Sequence, residues 1–115
     1  MMDCIFCKLA NGEIPTDMVY EDDNVVAFRD MNPVTPVHIL VVPKKHYESL
    51  ESIPFEEMEI VSHIHKAIRK IAKQEGFAED GYRVINNCGE HGGQEVLHIH
   101  YHVLAGKPLT KLVTD

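Results

Sequence analysis

Near its carboxyl end the chain reads Val96-Leu97-His98-Ile99-His100-Tyr101-His102-Val103-Leu104, a segment in which histidines alternate with apolar side chains. Alternation with a period of two predicts a β-strand that is buried on one face. The apolar residues would then pack on the core, and the three histidines would share the opposite face, with neighbouring rings about 6 to 7 Å apart. The predicted core-facing residues are Leu97, Ile99, Tyr101 and Val103.

Outward from this segment, the sequence predicts four more strands, a short helical turn and one long helix. Six apolar residues at three- and four-residue spacings indicate an amphipathic helix over residues 55–74, and Gly76 is placed to end it. These six are Met58, Val61, Ile64, Ile68, Ile71 and Ala72. The strands are predicted over 18–21, 25–29, 38–42, 82–87 and 96–104, and the turn over 5–11. This order predicts an α+β fold with a mainly antiparallel five-stranded sheet.

Composition and charge limit the classes of function. The chain has 115 residues, 44% of them hydrophobic and 25% charged, which is typical of one globular domain over residues 1–115. No apolar run approaches the roughly 20 residues that span a membrane. The net charge of −7 disfavours binding along polymeric nucleic acid. An acidic opening and an odd number of cysteines, three, favour a cytoplasmic location.

Three histidines on one strand face predict catalysis on an anionic substrate. A lone strand histidine is usually a structural side chain, but three in strict alternation bring no folding advantage that threonine or valine would not supply. Imidazole titrates near neutral pH, so one neutral ring can attack phosphorus while a neighbouring ring stabilises negative charge. His100 is the predicted nucleophile because it has a histidine on each side, and His102 would hold a phosphate oxygen. A purely structural role and a metal-binding role are the alternatives.

Cys4 and Cys7 predict a metal site. Two cysteines separated by two residues supply half of a tetrahedral zinc site, which neutral histidines usually complete. The alternative is a pair of reduced, packed thiols. A thioredoxin-like role has less support because no strand precedes the pair. Cys88 is expected to have no part in the site.

These motifs resemble those of the histidine-triad (HIT) superfamily, whose signature is His-x-His-x-His-x-x with hydrophobic residues at x. Residues 98–104, HIHYHVL, carry that signature. Residues 4–15, 19–46 and 81–106 are similar to the corresponding segments of the Hint branch, the nucleotide-binding phosphoramidases. The resemblance covers nearly the whole chain and implies a HIT-like fold and a homodimer. It also implies hydrolysis of phosphoramidate or related bonds on a purine nucleoside monophosphate, AMP or GMP.

The resemblance implies a catalytic role for four histidines. His100 matches the nucleophile that forms a nucleotidyl-histidine intermediate, with no catalytic metal. His98 and His102 match the flanking members of the triad, and His38 matches the fourth histidine of the site. Where animal Hint enzymes carry a serine that assists the departing amine, this chain has Glu95, so protonation of the leaving group is expected to differ or to fall to a carboxylic acid.

The resemblance also assigns the nucleotide contacts. Asp30 matches the carboxylate that binds the ribose hydroxyls, although it could simply initiate a turn. Asn87 and Gln94 match positions that contact the phosphate or position the loop. The apolar base pocket would consist of Ile5, Phe6, Leu9, Phe28 and Met31, which without the resemblance would be read largely as core.

Some members of the superfamily bind structural zinc with such a cysteine pair, a histidine after Pro-Lys-x and the first histidine of the triad. Here the implied zinc ligands are Cys4, Cys7, His46 and His98. Three other functions stay open on the sequence alone. They are a dinucleoside polyphosphate hydrolase of the related Fhit type, a non-catalytic nucleotide-binding or scaffold protein, and a zinc-storage or zinc-sensing module.

Overall fold

The structure, a computed structural model, describes residues 4–113. The first three residues of the acidic opening therefore lie outside the described part of the chain. The elements are α1 (Ile5–Ala10), β1 (Met18–Glu21), β2 (Val25–Arg29), β3 (Val37–Pro43), α2 (Glu59–Glu75), β4 (Arg83–Asn86) and β5 (Tyr101–Ala105), with short 3-10 turns at Leu50–Ser52 and Phe55–Glu57. Within residues 4–113, no helix has the length and apolar character needed to cross a bilayer.

All five strands form one antiparallel sheet in the order β1-β2-β3-β5-β4. The last strand inserts between β3 and β4, so that β3 and β5 are central and β1 and β4 are the edges. In the central pair, Val37 lies opposite Ala105 and Val41 lies opposite Tyr101. The α+β fold with a five-stranded antiparallel sheet, one long helix and a short N-terminal helix is thus confirmed.

The sheet is covered on both faces, and each face has its own core. On one face α2 packs on a core of sixteen buried residues that includes Val25, Ile39, Ile64 and Val103. On the other face α1 packs on a smaller core of eight: Cys4, Phe6, Cys7, Ala10, Val26, Phe28, Leu40 and Val42. Because successive residues of β2 and β3 enter different cores, both strands are almost continuously apolar.

Helix α2 begins later than the sequence predicts and ends where it predicts. Residues 55–57 form a 3-10 turn, and Phe55 is 93% exposed, so it adds nothing to the apolar face of the helix. At the other end, Gly76 has a φ of +84° and its N–H donates to the Lys73 carbonyl. The next N–H, of Phe77, donates to Ala72, which completes a Schellman motif.

The last strand begins at Tyr101, whereas the sequence predicted strand 96–104. Continuing the β3–β5 ladder beyond Tyr101 would place residue 99 opposite Pro43, which has no N–H to donate. The N–H of Ile99 donates instead to the Tyr47 carbonyl at 2.7 Å. Ile99 still enters the α2-side core, but Leu97 is 61% exposed, so its predicted place in the core is wrong.

Candidate active site and metal centre

The three histidines of segment 96–104 lie on the α1 side of the sheet, opposite Ile99, as the alternation predicts. The Phe6 ring on α1 meets the rings of His98 and His100 edge-on, with centroids 6.0 and 4.9 Å away. The centroids of His100 and His102 are 5.1 Å apart, somewhat closer than full strand spacing. The fold therefore keeps the histidines in a row although only His102 lies within β5.

His100 is held with one ring nitrogen free. Its Nδ1 lies 2.9 Å from the carbonyl oxygen of His98, and since a carbonyl only accepts, Nδ1 carries the proton. The lone pair of the neutral ring is then on Nε2. The side chain of His100 is only 6% exposed. Within residues 4–113, however, the one side-chain N or O atom that is both fully enclosed and without a hydrogen-bond partner is His46 Nε2. His100 Nε2 also has no partner in that part of the chain, so it is not fully enclosed. His100 Nε2 therefore reaches the surface and can act as a nucleophile.

A chain of hydrogen bonds sets the proton of His102. The N–H of Val34 donates to His38 Nδ1 at 3.2 Å, so the proton of neutral His38 is on Nε2. His38 Nε2 lies 2.9 Å from His102 Nδ1 and donates to it. The proton of neutral His102 is consequently on Nε2, where it can be donated to a ligand. Asp30 Oδ2 lies 3.6 Å from His38 Nε2 at the same end of the site.

Burial keeps three of these rings neutral at pH 7. It lowers the pKa of His98 and of His102 to about 4, and neighbouring imidazoles lower both further. Burial also lowers the pKa of His38, against the opposing effect of the Asp30 carboxylate. The proton positions derived above for neutral His38 and His102 therefore apply at physiological pH.

An apolar groove of about 660 Å³ shares residues with the surroundings of the histidines, since its wall includes Phe6, which packs on His98 and His100, and Asp30, which lies beside His38. Its lining includes all of the predicted base-pocket residues and the predicted ribose ligand: Ile5, Phe6, Leu9, Phe28, Met31 and Asp30. The sequence missed the other lining residues, which are Ile14, Pro15, Thr16, Asp17, Arg29 and Leu40. The connection at residues 14–17 has no periodicity that could have revealed its place in the groove. Leu40 could have been found from the alternation of β3, because its neighbours Ile39 and Val41 enter the other core. The volume is typical of a small-molecule site.

Two side-chain amides brace the glycine-rich connection between β4 and β5. Asn87 Nδ2 donates to the Gly92 carbonyl at 2.7 Å, and Gln94 Oε1 accepts from the Gly89 N–H at 2.9 Å. Both residues thus position the loop, one of the two roles that the resemblance implies. Glu95 is exposed beside them and makes no hydrogen bond or ion pair within residues 4–113.

Cys4, Cys7, His46 and His98 converge on one point, with their Sγ and Nδ1 atoms all within 4.8 Å of one another. Sulfur–nitrogen distances are 3.3, 3.4 and 3.5 Å, and the two Nδ1 atoms are 3.2 Å apart. His98 Nε2 lies 2.9 Å from the Pro43 carbonyl and donates to it, so the lone pair on Nδ1 faces the cluster. We call these four residues the cysteine–histidine cluster.

The cysteine–histidine cluster has the dimensions of a tetrahedral zinc site. Zinc bonds of about 2.0 Å to nitrogen and about 2.3 Å to sulfur, at tetrahedral angles, separate two nitrogens by about 3.3 Å and nitrogen from sulfur by about 3.5 Å. Burial and the neighbouring Cys4 raise the pKa of the Cys7 thiol to about 11, so without a cation this thiol is neutral. The donor set therefore fits zinc, and four protein ligands would leave no coordination position for substrate.

Known proteins share this fold. A family model described as "HIT domain" matches residues 11–109. The chain belongs to the HIT family. This confirms the family that the motifs resemble.

Three HIT relatives illustrate the similarity. The purine nucleoside phosphoramidase of Escherichia coli K12 is 49% identical over 105 residues, which cover 91% of this chain and 88% of that protein. A histidine triad protein from Clostridium difficile has a TM-score of 0.95 and 68% identity, covering 98% of both chains. A HIT family hydrolase from Legionella pneumophila Philadelphia 1 has a TM-score of 0.90 and 44% identity, covering 94% of this chain and 96% of its own.

Proposed function

We propose that this HIT protein hydrolyses a phosphoramidate or related bond at the α-phosphorus of a purine nucleoside monophosphate, releasing AMP or GMP and an amine. The observation that supports this most is the free Nε2 of His100, which lies next to His102 and packs on Phe6, a residue of the apolar groove wall. The names of two relatives, a purine nucleoside phosphoramidase and a HIT family hydrolase, point the same way.

In the proposed complex the base lies in the groove against α1 and Phe28, where apolar surface stabilises it. The Asp30 carboxylate accepts from the ribose hydroxyls, since its Oδ2 is the oxygen not used in the local turn. This orientation directs the α-phosphate toward His100 and His102. The Nε2–H of neutral His102 then donates to a phosphate oxygen without the cost of burying a second charge.

The chemistry proceeds in two displacements at phosphorus. His100 Nε2 attacks the α-phosphorus, the P–N bond of the substrate breaks, and the amine leaves with a proton supplied from the site. His102 Nε2–H and the carboxyl group of Glu95 are the two candidate donors of that proton. Water then attacks the nucleotidyl-His100 phosphorus and gives a proton back to the group that protonated the amine. The bond between phosphorus and His100 Nε2 breaks, which restores the neutral ring and releases the nucleoside monophosphate. This scheme needs no catalytic metal.

We further propose that the cysteine–histidine cluster holds zinc as a structural ion. The ion would supply a cross-link between α1, His46 and the segment that carries the triad. Elemental analysis of the purified protein tests the assignment. We expect about one zinc per chain, and its loss in Cys4→Ser/Cys7→Ser protein; metal content unchanged in that variant would rule out these ligands.

A homodimer is part of the proposal. Strand β4 is an edge of the sheet, pairs only with β5 within residues 4–113, and has partly exposed residues throughout. An edge with free N–H and C=O groups can pair with the same edge of a second copy. Sedimentation velocity at micromolar concentration should give the mass of a dimer, and a monomer would contradict this part of the proposal.

The decisive experiment compares turnover of adenosine 5′-phosphoramidate by the native protein and by His100→Ala. Losing the nucleophile should lower kcat at least about 10³-fold and change AMP affinity only a few-fold. The matched control is His63→Ala on α2, away from the triad. Normal turnover by His100→Ala would refute the nucleophile.

Other outcomes would favour the remaining functions. AMP binding without turnover by the native protein would indicate a nucleotide-binding or scaffold protein. Faster turnover of diadenosine polyphosphates would indicate the Fhit-type reaction. If nucleotides produce no thermal shift while chelation does, the protein would be a zinc module.

A further inference from the structure

Helix α1 belongs to two sites at once. Cys4 caps its first turn, with Sγ accepting from the Cys7 N–H at 3.3 Å, and both cysteines belong to the cysteine–histidine cluster. Ile5, Phe6 and Leu9 on the same helix line the groove. The two sites therefore share one helix of six residues, and a displacement of that helix would alter both.

Helix α1 has little stability of its own. Six residues are far below the length at which a helix is stable alone. The core beneath α1 has half as many buried residues as the core beneath α2, and two of its eight are Cys4 and Cys7. Two of the four buried residues that positions 4–10 contribute to this core are thus cysteines, whose sulfurs contact His46 and His98.

Phe6 extends this attachment into the site. Its ring packs on the cluster residue His98 and on His100, and it also forms part of the groove wall. A displacement of α1 would remove Phe6 from the groove. It would leave Asp30 in place, because Asp30 is held by its own turn and lies beside His38.

We propose that occupancy of the cysteine–histidine cluster controls the affinity of the groove for the nucleobase, with Cys4 and Cys7 acting as positioning residues for the wall formed by Ile5, Phe6 and Leu9. This inference rests on the proposed nucleotide-binding function. Coupling between two sites is reciprocal, so nucleotide binding must strengthen metal binding by the same factor. A ligand that lacks a base does not reach the α1 wall and should be insensitive to the metal.

The test compares AMP with ribose 5-phosphate by isothermal titration calorimetry. Each ligand is titrated into zinc-loaded protein and into protein dialysed against a chelator, with metal content checked by elemental analysis and α2 checked by far-ultraviolet circular dichroism. Metal removal should weaken AMP binding at least about tenfold, the factor expected from losing one apolar wall, and ribose 5-phosphate binding less than about twofold. Cys7→Ser should reproduce the metal-free result, and Cys88→Ser, a thiol outside the cluster, should resemble native protein.

A second measurement starts from zinc-loaded protein and measures zinc affinity instead of nucleotide affinity. A chromophoric chelator competes for zinc with and without saturating AMP, and AMP should raise zinc affinity at least about tenfold. Unchanged zinc affinity would overturn the inference, as would equal AMP affinity with and without metal, equal losses for both ligands, or a native protein that binds no zinc. Failure of zinc-loaded protein to bind AMP would instead refute the proposed function.

Discussion

Asp30 has two oxygens with different partners. Oδ1 accepts from the N–H of Asn32 at 2.7 Å and holds a turn, whereas Oδ2 faces His38 and the groove. The two roles between which the sequence left a choice, turn residue and ribose ligand, are therefore compatible. A substitution that keeps one oxygen and removes the charge can separate them.

Asp30→Asn should weaken AMP binding by about tenfold while leaving the fold intact. The amide oxygen can keep the turn, but the ribose hydroxyls lose a charged acceptor, which contributes about 1.5–3 kcal/mol. Calorimetry with AMP and 2′-deoxy-AMP measures the effect. 2′-Deoxy-AMP has one fewer hydroxyl that can donate to Asp30, so its affinity should fall less than that of AMP. Equal losses of affinity for both ligands, or no loss for either, would show that Asp30 does not bind the ribose.

Residue types and spacing predicted many of the residues that form the site, but not the orientation or the proton positions of their rings. Three alternating histidines predicted a shared face, and the cysteine pair predicted half of a metal site. His46 was identified only through the family resemblance, since nothing in its local sequence distinguishes it from a surface histidine. The proton positions on His98 and His100 depend on the carbonyls of Pro43 and His98, which the fold brings to the rings. Sequence spacing contains no information about those contacts.

At the scale of elements, the end of α2 offers a clean test of local structure. Gly76 adopts a φ of +84°, which side chains with a Cβ rarely adopt, and a Cβ built there would meet nothing within 4 Å. Gly76→Ala should therefore lower the free energy of unfolding by about 1 kcal/mol through backbone strain alone. Urea denaturation measures the change, with Lys73→Ala on the exposed face of α2 as the control. A loss below about 0.3 kcal/mol would show that the cap contributes little.

Element type was predictable, whereas two boundaries were not. The period of α2 and the apolar runs of β2 and β3 identified those elements from local pattern. The start of β5 depends on Pro43, some sixty residues earlier, which ends the ladder opposite residue 99. Only the pairing of β3 with β5 reveals that constraint, so alternation alone extended the strand too far and placed Leu97 in the core.

For the whole molecule, stability should fall as the pH is lowered from about 6.5 to about 4. Burial lowers the pKa of His102 to about 4 and also lowers that of His38, whereas in the unfolded chain both titrate near 6.5. Below pH 6.5 the unfolded chain therefore binds protons that the folded chain does not, and unfolding becomes easier until the folded pKa is reached.

Urea denaturation between pH 7 and pH 4 measures this dependence. His102 alone should contribute about 1 to 2 kcal/mol to the loss, after allowance for solvent screening. His102→Gln should flatten the profile by that amount, while the exposed His91→Gln should leave it unchanged. Identical profiles for native protein and His102→Gln would show that His102 is not held neutral by burial.

Main-chain groups, rather than side chains, place the protons on His98, His100 and His38. Residues of the apolar groove wall can therefore be substituted while the reactive rings keep their tautomers. A combinatorial library at the groove residues Ile5, Leu9 and Met31 would alter which base shapes are accepted without changing the nucleophile. Recognition of the base can thus be changed without changing the reactive histidines.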